Sequence, residues 1–416
     1  MFFSKQHKTD RPESPGAKIR RRFLHNTPAV LSLLFICFTA IISLLGYLIT
    51  PDSTPLANDQ KPELHIKEPG FATQFLLVTR NDETEHVTFF EKMLFGENKP
   101  FATYTMHHYE FKGPEILIEE YTGNTPNRGA ITRFNLADVV YALNTKQAPL
   151  YDSLKKEFHF YELGKKELST KSQNELQSTI KEKFMVTKKY LLGTDLLGRD
   201  LLSRLMIGTR ISLSVGLISV LISIFIGIFL GALAGYFRGT TDIVITWLIN
   251  VIWSIPTLLL VIAITFILGK GILQVFIAVG LTMWVDVARI VRGQVLSIRE
   301  KEFVEAGRAL GYTNSRIIFK HILPNVMGPV IVMAASNFAS AILMEAGLSF
   351  LGIGAQPPMP SWGEMISAHH GYILMDKAYL VFIPGFAIML LVLSFMMVGN
   401  GLRDAMDSRA LDEAPI

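Results

Sequence analysis

From Pro28 to Ile49 the chain runs 22 residues without a charged side chain. A helix rises 1.5 Å per residue, so about 20 apolar residues cross the hydrocarbon core of a bilayer. The run is longer than a secretory-signal core and ends without a small-x-small cleavage pattern, so it reads as a retained anchor. Asn26 and Thr27 suit its cap and Pro28 its first turn. The pattern returns at 211–237, 243–268, 272–290, 325–350 and 379–400, which makes six spans. These runs explain why 50% of the 416 residues are hydrophobic and only 18% charged, against about 25% charged in a soluble domain. A disordered chain is excluded. So is an internal disulfide framework, because Cys37 stands alone. Cys37 lies mid-span, where a thiol in apolar surroundings is an inert packing residue. Gly227, Gly231 and Gly235 place small residues where helices can approach closely.

Orientation follows from Lys and Arg in the short flanks. Seven lie in residues 1–27, including Arg20, Arg21 and Arg22, and seven more between Arg289 and Pro324. The opposite flanks hold only Lys270 and Lys377. Both termini and the 291–324 loop are therefore expected in the cytoplasm, with the polar stretch 51–206 extracytoplasmic. The expected architecture is an all-α membrane protein of six transmembrane helices, with an inserted extracytoplasmic α+β domain between spans 1 and 2. In sequence it divides into a basic cytoplasmic tail (1–27), a first transmembrane helix (28–50), the insert (51–189), a five-helix core (190–400) and a cytoplasmic tail (401–416).

In the insert, 71–79, 103–111, 115–121 and 158–163 read as strands, with Lys112-Gly113-Pro114 turning the second into the third. Residues 137–143 and 172–184 read as short helices, capped by Asn135 and by Ser169 or Thr170. The pairs His107-His108 and His369-His370 read as solvated surface residues, since adjacent histidines point different ways. No phosphate loop, HExxH helix or GxSxG elbow is present, so neither nucleotide hydrolysis, covalent catalysis nor a metal centre is expected. The net charge of +4 is flank charge and asks for no nucleic acid.

The 291–324 loop is the most informative stretch. Residues 300–310 form an amphipathic helix with Phe303, Ala306 (or Gly307) and Leu310 on one face. Gly311 can take a positive φ and end it. A second short helix starts near Thr313, carries Ile317, Ile318 and Ile322, and stops at Pro324, which opens the next span. An apolar stripe facing the cytosol either lies on the membrane interface or receives a partner.

This loop, with Glu305-Ala306-Gly307, Gly311 and His321-Ile322-Leu323-Pro324, resembles the signature loop of ABC importer permeases. Gly307 stands where a second alanine is usual, and His321 where isoleucine is usual; His-Ile-Leu-Pro is common in the peptide-importer branch. The stretches Leu192–Asp200 with Arg204 and Gly208–Arg210, Ala288–Gln294, Leu348–Gly352 with Pro357-Pro358 and Ser361–Gly363, and Gly401–Asp407 resemble further segments of dipeptide and oligopeptide permeases, of the second, C type. In the last, Asn400 and Ser408 replace the usual Asp and Pro. The resemblance covers about 190–409 and the first span; residues 60–188 have no counterpart in it.

The resemblance implies a transport subunit, not an enzyme, in the bacterial inner membrane. It implies a second homologous permease, two cytosolic ATPase subunits that bind ATP and magnesium, and an extracytoplasmic binding protein that delivers the ligand. It makes 300–324 the ATPase-coupling hairpin, with Glu305 paired to a basic group. The ligand is expected to be a peptide. Nickel or another small ligand is an alternative within the family, and a membrane sensor with an extracytoplasmic ligand domain is one outside it. The polar groups in and near the spans are the candidates for a path role. Asp286 is three residues from Arg289, so an internal ion pair competes with a path role. Glu345 either meets substrate or pairs structurally. Ser336, Asn337 and Ser340 form a polar stripe that either packs helices or lines the path.

Overall fold

The computed structural model describes residues 15–82, 87–144, 147–269 and 271–406, so Lys270, Asp407 and Ser408 lie outside the described residues. The chain forms two compact units. One takes in residues up to 43, 208–367 and from 381 onward; the other holds 44–207 and 368–380.

Helices α1 (Pro15–His25) and α2 (Thr27–Ile49) are separated only by Asn26. The expected cap is formed: Asn26 Oδ1 accepts the Ala29 N–H at 3.2 Å. Cys37 is exposed on α2 and does not pack internally.

The polar unit is α+β, as its alternation implies. Strands β1 (Ala72–Thr79), β2 (Phe101–Lys112), β3 (Glu115–Glu120), β4 (Ile131–Asn135) and β8 (Met185–Lys189) form an antiparallel sheet in the order β4-β3-β2-β1-β8. Strands β5 (Leu150–Asp152), β6 (Glu157–Tyr161) and β7 (Leu168–Ser172) form a second sheet. Gly113 turns β2 into β3 with φ +59°. Helices α3 (Phe89–Phe95), α4 (Leu136–Val140) and α5 (Gln173–Thr179) complete the unit. Its core sets Leu76, Ile116 and Ile118 of the large sheet against Leu136, Leu176 and Ile180 of the helices, with Phe158 and Phe160 of the small sheet.

Asn135 caps α4, accepting from the Ala137 N–H at 2.9 Å. Ser172, not Ser169 or Thr170, caps α5, accepting from the Glu175 N–H at 3.3 Å. The reason is that 168–172 is strand β7, so the earlier hydroxyls are committed to an extended chain. His107 and His108 are both exposed where a bulge interrupts the β2–β3 register. His369 is buried at 2% exposure, so that pair is not the solvated one expected.

Residues 51–70 and 190–200 run against each other. The Lys61 N–H reaches Leu197 O at 2.9 Å, Ile66 N–H reaches Asp195 O at 3.1 Å, and Thr194 N–H reaches Lys67 O at 3.0 Å. Asp195 is wholly buried here. Its carboxylate accepts from Arg199 Nε at 2.7 Å and from the Leu197 and Arg199 N–H groups at 2.9 Å, with Arg204 Nε at 3.5 Å. Asp195→Asn takes the charge from between two buried guanidinium groups. Breaking a buried pair in this way costs about 3–5 kcal/mol. The expected result is a markedly lower melting temperature for the detergent-purified protein; an unchanged melt would refute it. Nearby, Asp59 is held below the usual carboxylate range: burial alone would raise it, but Lys99 and Lys61 outweigh that.

Among the described residues, five helices are long and apolar enough to cross a bilayer: α2, α6 (Leu201–Phe237), α9 (Ile272–Ile298), the continuous helix Asn314–Phe350, and α14 (Tyr379–Met406). The expected span at 243–268 is not one straight helix. It is α7 (Gly239–Trp253) and α8 (Thr257–Leu268), bent by 93°. Pro256 supplies the cause, because it has no N–H to give and its ring collides with the carbonyl one turn back. Between α9 and the long helix lies α10 (Glu302–Ala309). The long helix comprises α11 (Asn314–Ile317), a wide π-type turn at Ile318–Ile322, and α12 (Leu323–Phe350); α13 is Trp362–His369.

Helices α6 and α9 meet along a glycine stripe. A Cβ on Gly227, Gly231 or Gly235 would fall 2.5 Å from Val287 Cβ, 2.6 Å from Ala288 O, or 2.8 Å from Arg292 O. The stripe is completed by Gly280, whose Cβ would sit 2.7 Å from Ile222 Cβ, and by a hydrogen bond from Ser219 Oγ to Phe276 O at 2.9 Å.

Candidate functional site

The hairpin Glu302–Ile322 is built on a Schellman ending. Gly311, at φ +74°, follows the last residue of α10's cap; its N–H reaches Arg308 O at 2.9 Å and the Tyr312 N–H reaches Gly307 O at 3.0 Å. Both bonds satisfy carbonyls that a helix end leaves open. Thr313 then caps α11 through its hydroxyl, which accepts the Arg316 N–H at 3.4 Å. The expected stop at Pro324 does not occur. Leu323 N–H bonds back five residues to Ile318 O, and Asn325 Nδ2 bonds His321 O at 2.7 Å. The widened turn makes room for the proline ring, so the chain continues into α12.

Val304 and Gly307 are buried, Val304 in one cluster with Ile298, Ile317, Ile322 and Val326. The opposite face is open: Phe303, Glu305, Ala306 and Leu310 are exposed, Leu310 by 71%. The apolar stripe expected from spacing is therefore outward-facing. The second stripe, Ile317, Ile318 and Ile322, is instead covered within the fold, all three being buried.

Both departures from the usual signature touch Tyr312. A Cβ at Gly307 would lie 3.3 Å from Tyr312 Cδ2. The His321 ring stacks on the tyrosine at 5.8 Å and 13°, and the Arg316 guanidinium sits 4.1 Å from its centroid. Glycine thus leaves room for a ring that histidine supports. Leu323 is half-buried and Pro324 exposed at the start of α12.

Tyr236, at the end of α6, ties this hairpin to the spans. Its hydroxyl donates to Asn314 Oδ1 at 2.8 Å, its carbonyl accepts from Arg299, and the Arg299 and Arg308 guanidinium groups each lie 5.6 Å from its ring. Arg238 pairs with Glu300, and Arg292 forms a bidentate pair with Asp242, with Nη2–Oδ2 at 2.8 Å. Spacing alone could not find these partners. The only signal was a Tyr-Phe-Arg cluster closing an otherwise apolar helix.

Within the spans, Asp286, Asn337 and Ser340 line one small cavity of about 110 Å³, together with Trp253, Thr257 and Thr282. Asn337 is buried and its Nδ2 has no hydrogen-bond partner among the described residues. The i, i+3 ion pair is not made: Arg289 lies over the Trp253 ring at 3.7 Å, and Asp286 is exposed. The guanidinium is taken up by the face of an indole, whose quadrupole attracts a cation. Ser336 is exposed and is not part of this lining. Glu345 is fully buried, with the Ser349 hydroxyl 2.7 Å from Oε1. Ser349 Oγ in turn accepts the Ala355 N–H at 3.0 Å, so Glu345 braces the turn after α12.

Residues 227–412 match the family model described as the binding-protein-dependent transport system inner membrane component, and 14–65 match the N-terminal transmembrane domain of oligopeptide transport permease C. The chain is 42% identical over 221 residues to the dipeptide transport permease DppC of Alkalihalophilus pseudofirmus, covering 53% of this chain and 72% of that protein. It is 45% identical over 220 residues to the oligopeptide transport permease OppC of Escherichia coli, with the same coverage. It is 41% identical over 218 residues to the glutathione transport permease GsiD of Pectobacterium atrosepticum, covering 52% and 72%. A solved chain of the MetNI methionine transporter aligns with TM-score 0.37 and 21% identity over 46% of this chain and 96% of that one. The chain belongs to the binding-protein-dependent transport permeases of the bacterial inner membrane, in their dipeptide and oligopeptide permease C branch.

Proposed function

We propose that this chain is one of two permeases in an ATP-driven peptide importer. It forms half of the path, and couples it through Glu302–Ile322 to two cytosolic ATPase subunits. A binding protein outside the membrane delivers the ligand. ATP and magnesium are held by the ATPase subunits. The observation that carries this is the two-faced hairpin: Val304 and Gly307 hold it to the spans, while Phe303, Ala306, Leu310 and the carboxylate of Glu305 face outward. The relatives' names favour a peptide over nickel.

Orientation rests on the Lys and Arg bias, with both termini cytoplasmic. The contact of Ala29, in the first turn of α2, with Gly401, near the end of α14, supports it. A chain that enters and leaves at one face crosses an even number of times. The bent pair α7–α8 then counts as one of six crossings. The exposed apolar groove between α6 and α11, lined by Phe225, Phe229 and Ile318, fits the second permease.

Purification in mild detergent is expected to recover a second permease and an ATPase, and proteoliposomes of that complex to take up labelled dipeptide only with ATP. Recovery without an ATPase would sink the importer reading. Uptake of nickel but not peptide would replace the ligand, and a ligand-dependent signal without transport would favour the sensor.

Residues 60–188 are the stretch without a counterpart in the family scaffold, and most of it lies between Phe71 and Tyr190. Gly70 N–H reaches Tyr190 O and Tyr190 N–H reaches Phe71 O, each at 2.8 Å, so the two ends already lie side by side. Joining Phe71 to Tyr190 through two glycines is expected to leave a protein that still co-purifies with its partner permease. Loss of assembly would make the insert structural.

A further inference from the structure

Helix α3 (Phe89–Phe95) buries none of its residues. Phe89, Phe90 and Phe95 are 63–69% exposed and Leu94 is 47% exposed, with Val87 just before them. Only Glu91 and Lys92 are charged in the helix, and neither is free to solvate the apolar side. Glu91 closes a capping box with Thr88, and Lys92 pairs with Glu97. A patch of large side chains this dense, left in water, marks a surface that meets something apolar.

Its attachment says what that is. The Glu97 N–H donates to Ser53 O at 2.9 Å. Gly96 presses so close that a Cβ would lie 2.6 Å from Ser53 O and 3.1 Å from Tyr47 Cδ1. Tyr47 lies in the last turn of α2, and Ser53 is four residues beyond its end at Ile49. The C-terminus of α3 is thus pinned where the first span leaves the bilayer, beside Leu44 and Ile49, themselves at least half exposed. Aromatic side chains are favoured at that depth, and a short helix with an apolar face lies in the interfacial plane.

We propose that α3 is an interfacial membrane anchor that dips Phe89, Phe90, Leu94 and Phe95 into the leaflet at which α2 ends. The occupant of the patch is lipid. The insert is then held to the membrane surface at a second point besides its chain ends.

The test uses the full chain in lipid nanodiscs with Cys37→Ala. Nitroxide labels are placed at Phe90→Cys and Phe95→Cys, and at Leu154→Cys as a control, since Leu154 is 96% exposed in the β5–β6 turn. The ratio of collisions with oxygen, which partitions into lipid, to collisions with a water-soluble nickel chelate is expected to be severalfold higher at 90 and 95 than at 154. A ratio equal to that at 154 would put the helix in water and overturn the proposal. Suppression of both collision rates would show a protein surface covering the patch, and would overturn it too. Labels at Phe89→Cys and Leu94→Cys repeat the measurement with Phe90 and Phe95 intact, so that misfolding of one variant does not decide the result.

Discussion

Gly231→Leu is expected to leave the spans unable to close, with little protein recovered as a monodisperse species in detergent. Lipid is as apolar as leucine, so α6 and α9 gain nothing by merely hiding grease; they associate through close contact and shape. At Gly231 that contact has no slack: a Cβ alone would sit 2.6 Å from a backbone carbonyl and 2.8 Å from Val291 Cβ. Backbone cannot rotate away as a side chain can, so the helices must separate. Extra carbon atoms forced into a packed site cost about 1–3 kcal/mol, and Gly231→Ala should show that smaller loss as a lowered melting temperature. Gly293→Ala is the control on the partner helix α9, since no described atom lies within 4 Å of a Cβ there. It should be neutral or slightly stabilising, because alanine favours a helix over glycine by about 1 kcal/mol. Equal effects at 231 and 293 would show that the stripe is not a packing seam.

Glu305→Lys is expected to abolish ATP-driven uptake while leaving the protein in the membrane at its normal level. Glu305 is exposed and bonds no other described residue in the hairpin, so the fold loses little. The reversal also sets a cation near a helix N-terminus, worth about 0.3–1 kcal/mol on the surface. The large effect comes from the proposed interface. Losing one member of a desolvated charge pair costs about 2–5 kcal/mol of binding, and each 1.4 kcal/mol is about tenfold. The ATPase should be lost on co-purification along with uptake. Uptake retained at the parental rate would remove Glu305 from the coupling contact.

Local signals in the sequence were read well because their partners are local. Asn135, Thr313 and Gly311 act on their own helix ends, where one side chain or one φ decides the outcome. The outward stripe Phe303, Ala306 and Leu310 followed from helical period. Contacts across the fold were not legible. Arg289 has a carboxylate one turn away, yet its partner is Trp253, brought near only by the bend at Pro256. Glu345 suits substrate or structure equally in the sequence, and its bond to Ser349, with 349–355 folded back onto it, is a contact that only the fold shows. The role of Tyr236 was not legible, because its partners Arg299, Arg308 and Asn314 all come from later in the chain. Of the suggested path residues, Asp286, Asn337 and Ser340 share a cavity, while Ser336, Arg289 and Glu345 do not line it.

The unbroken course from Asn314 to Phe350 has a mechanical meaning. Thirty-seven residues at 1.5 Å each make a rod of about 55 Å. One end stands at the hairpin, and Asn337 and Ser340 lie further along the same rod. A lever of this kind needs no chain of intermediaries: tilting one end displaces the other in proportion to the arm. Its one compliant joint is the wide turn before Pro324, where the regular ladder of hydrogen bonds is interrupted. Under the coupling proposed above, force applied at Tyr312 would either swing the rod or be absorbed in that turn, and the stiffness of those five residues would set how much of each stroke arrives in the membrane.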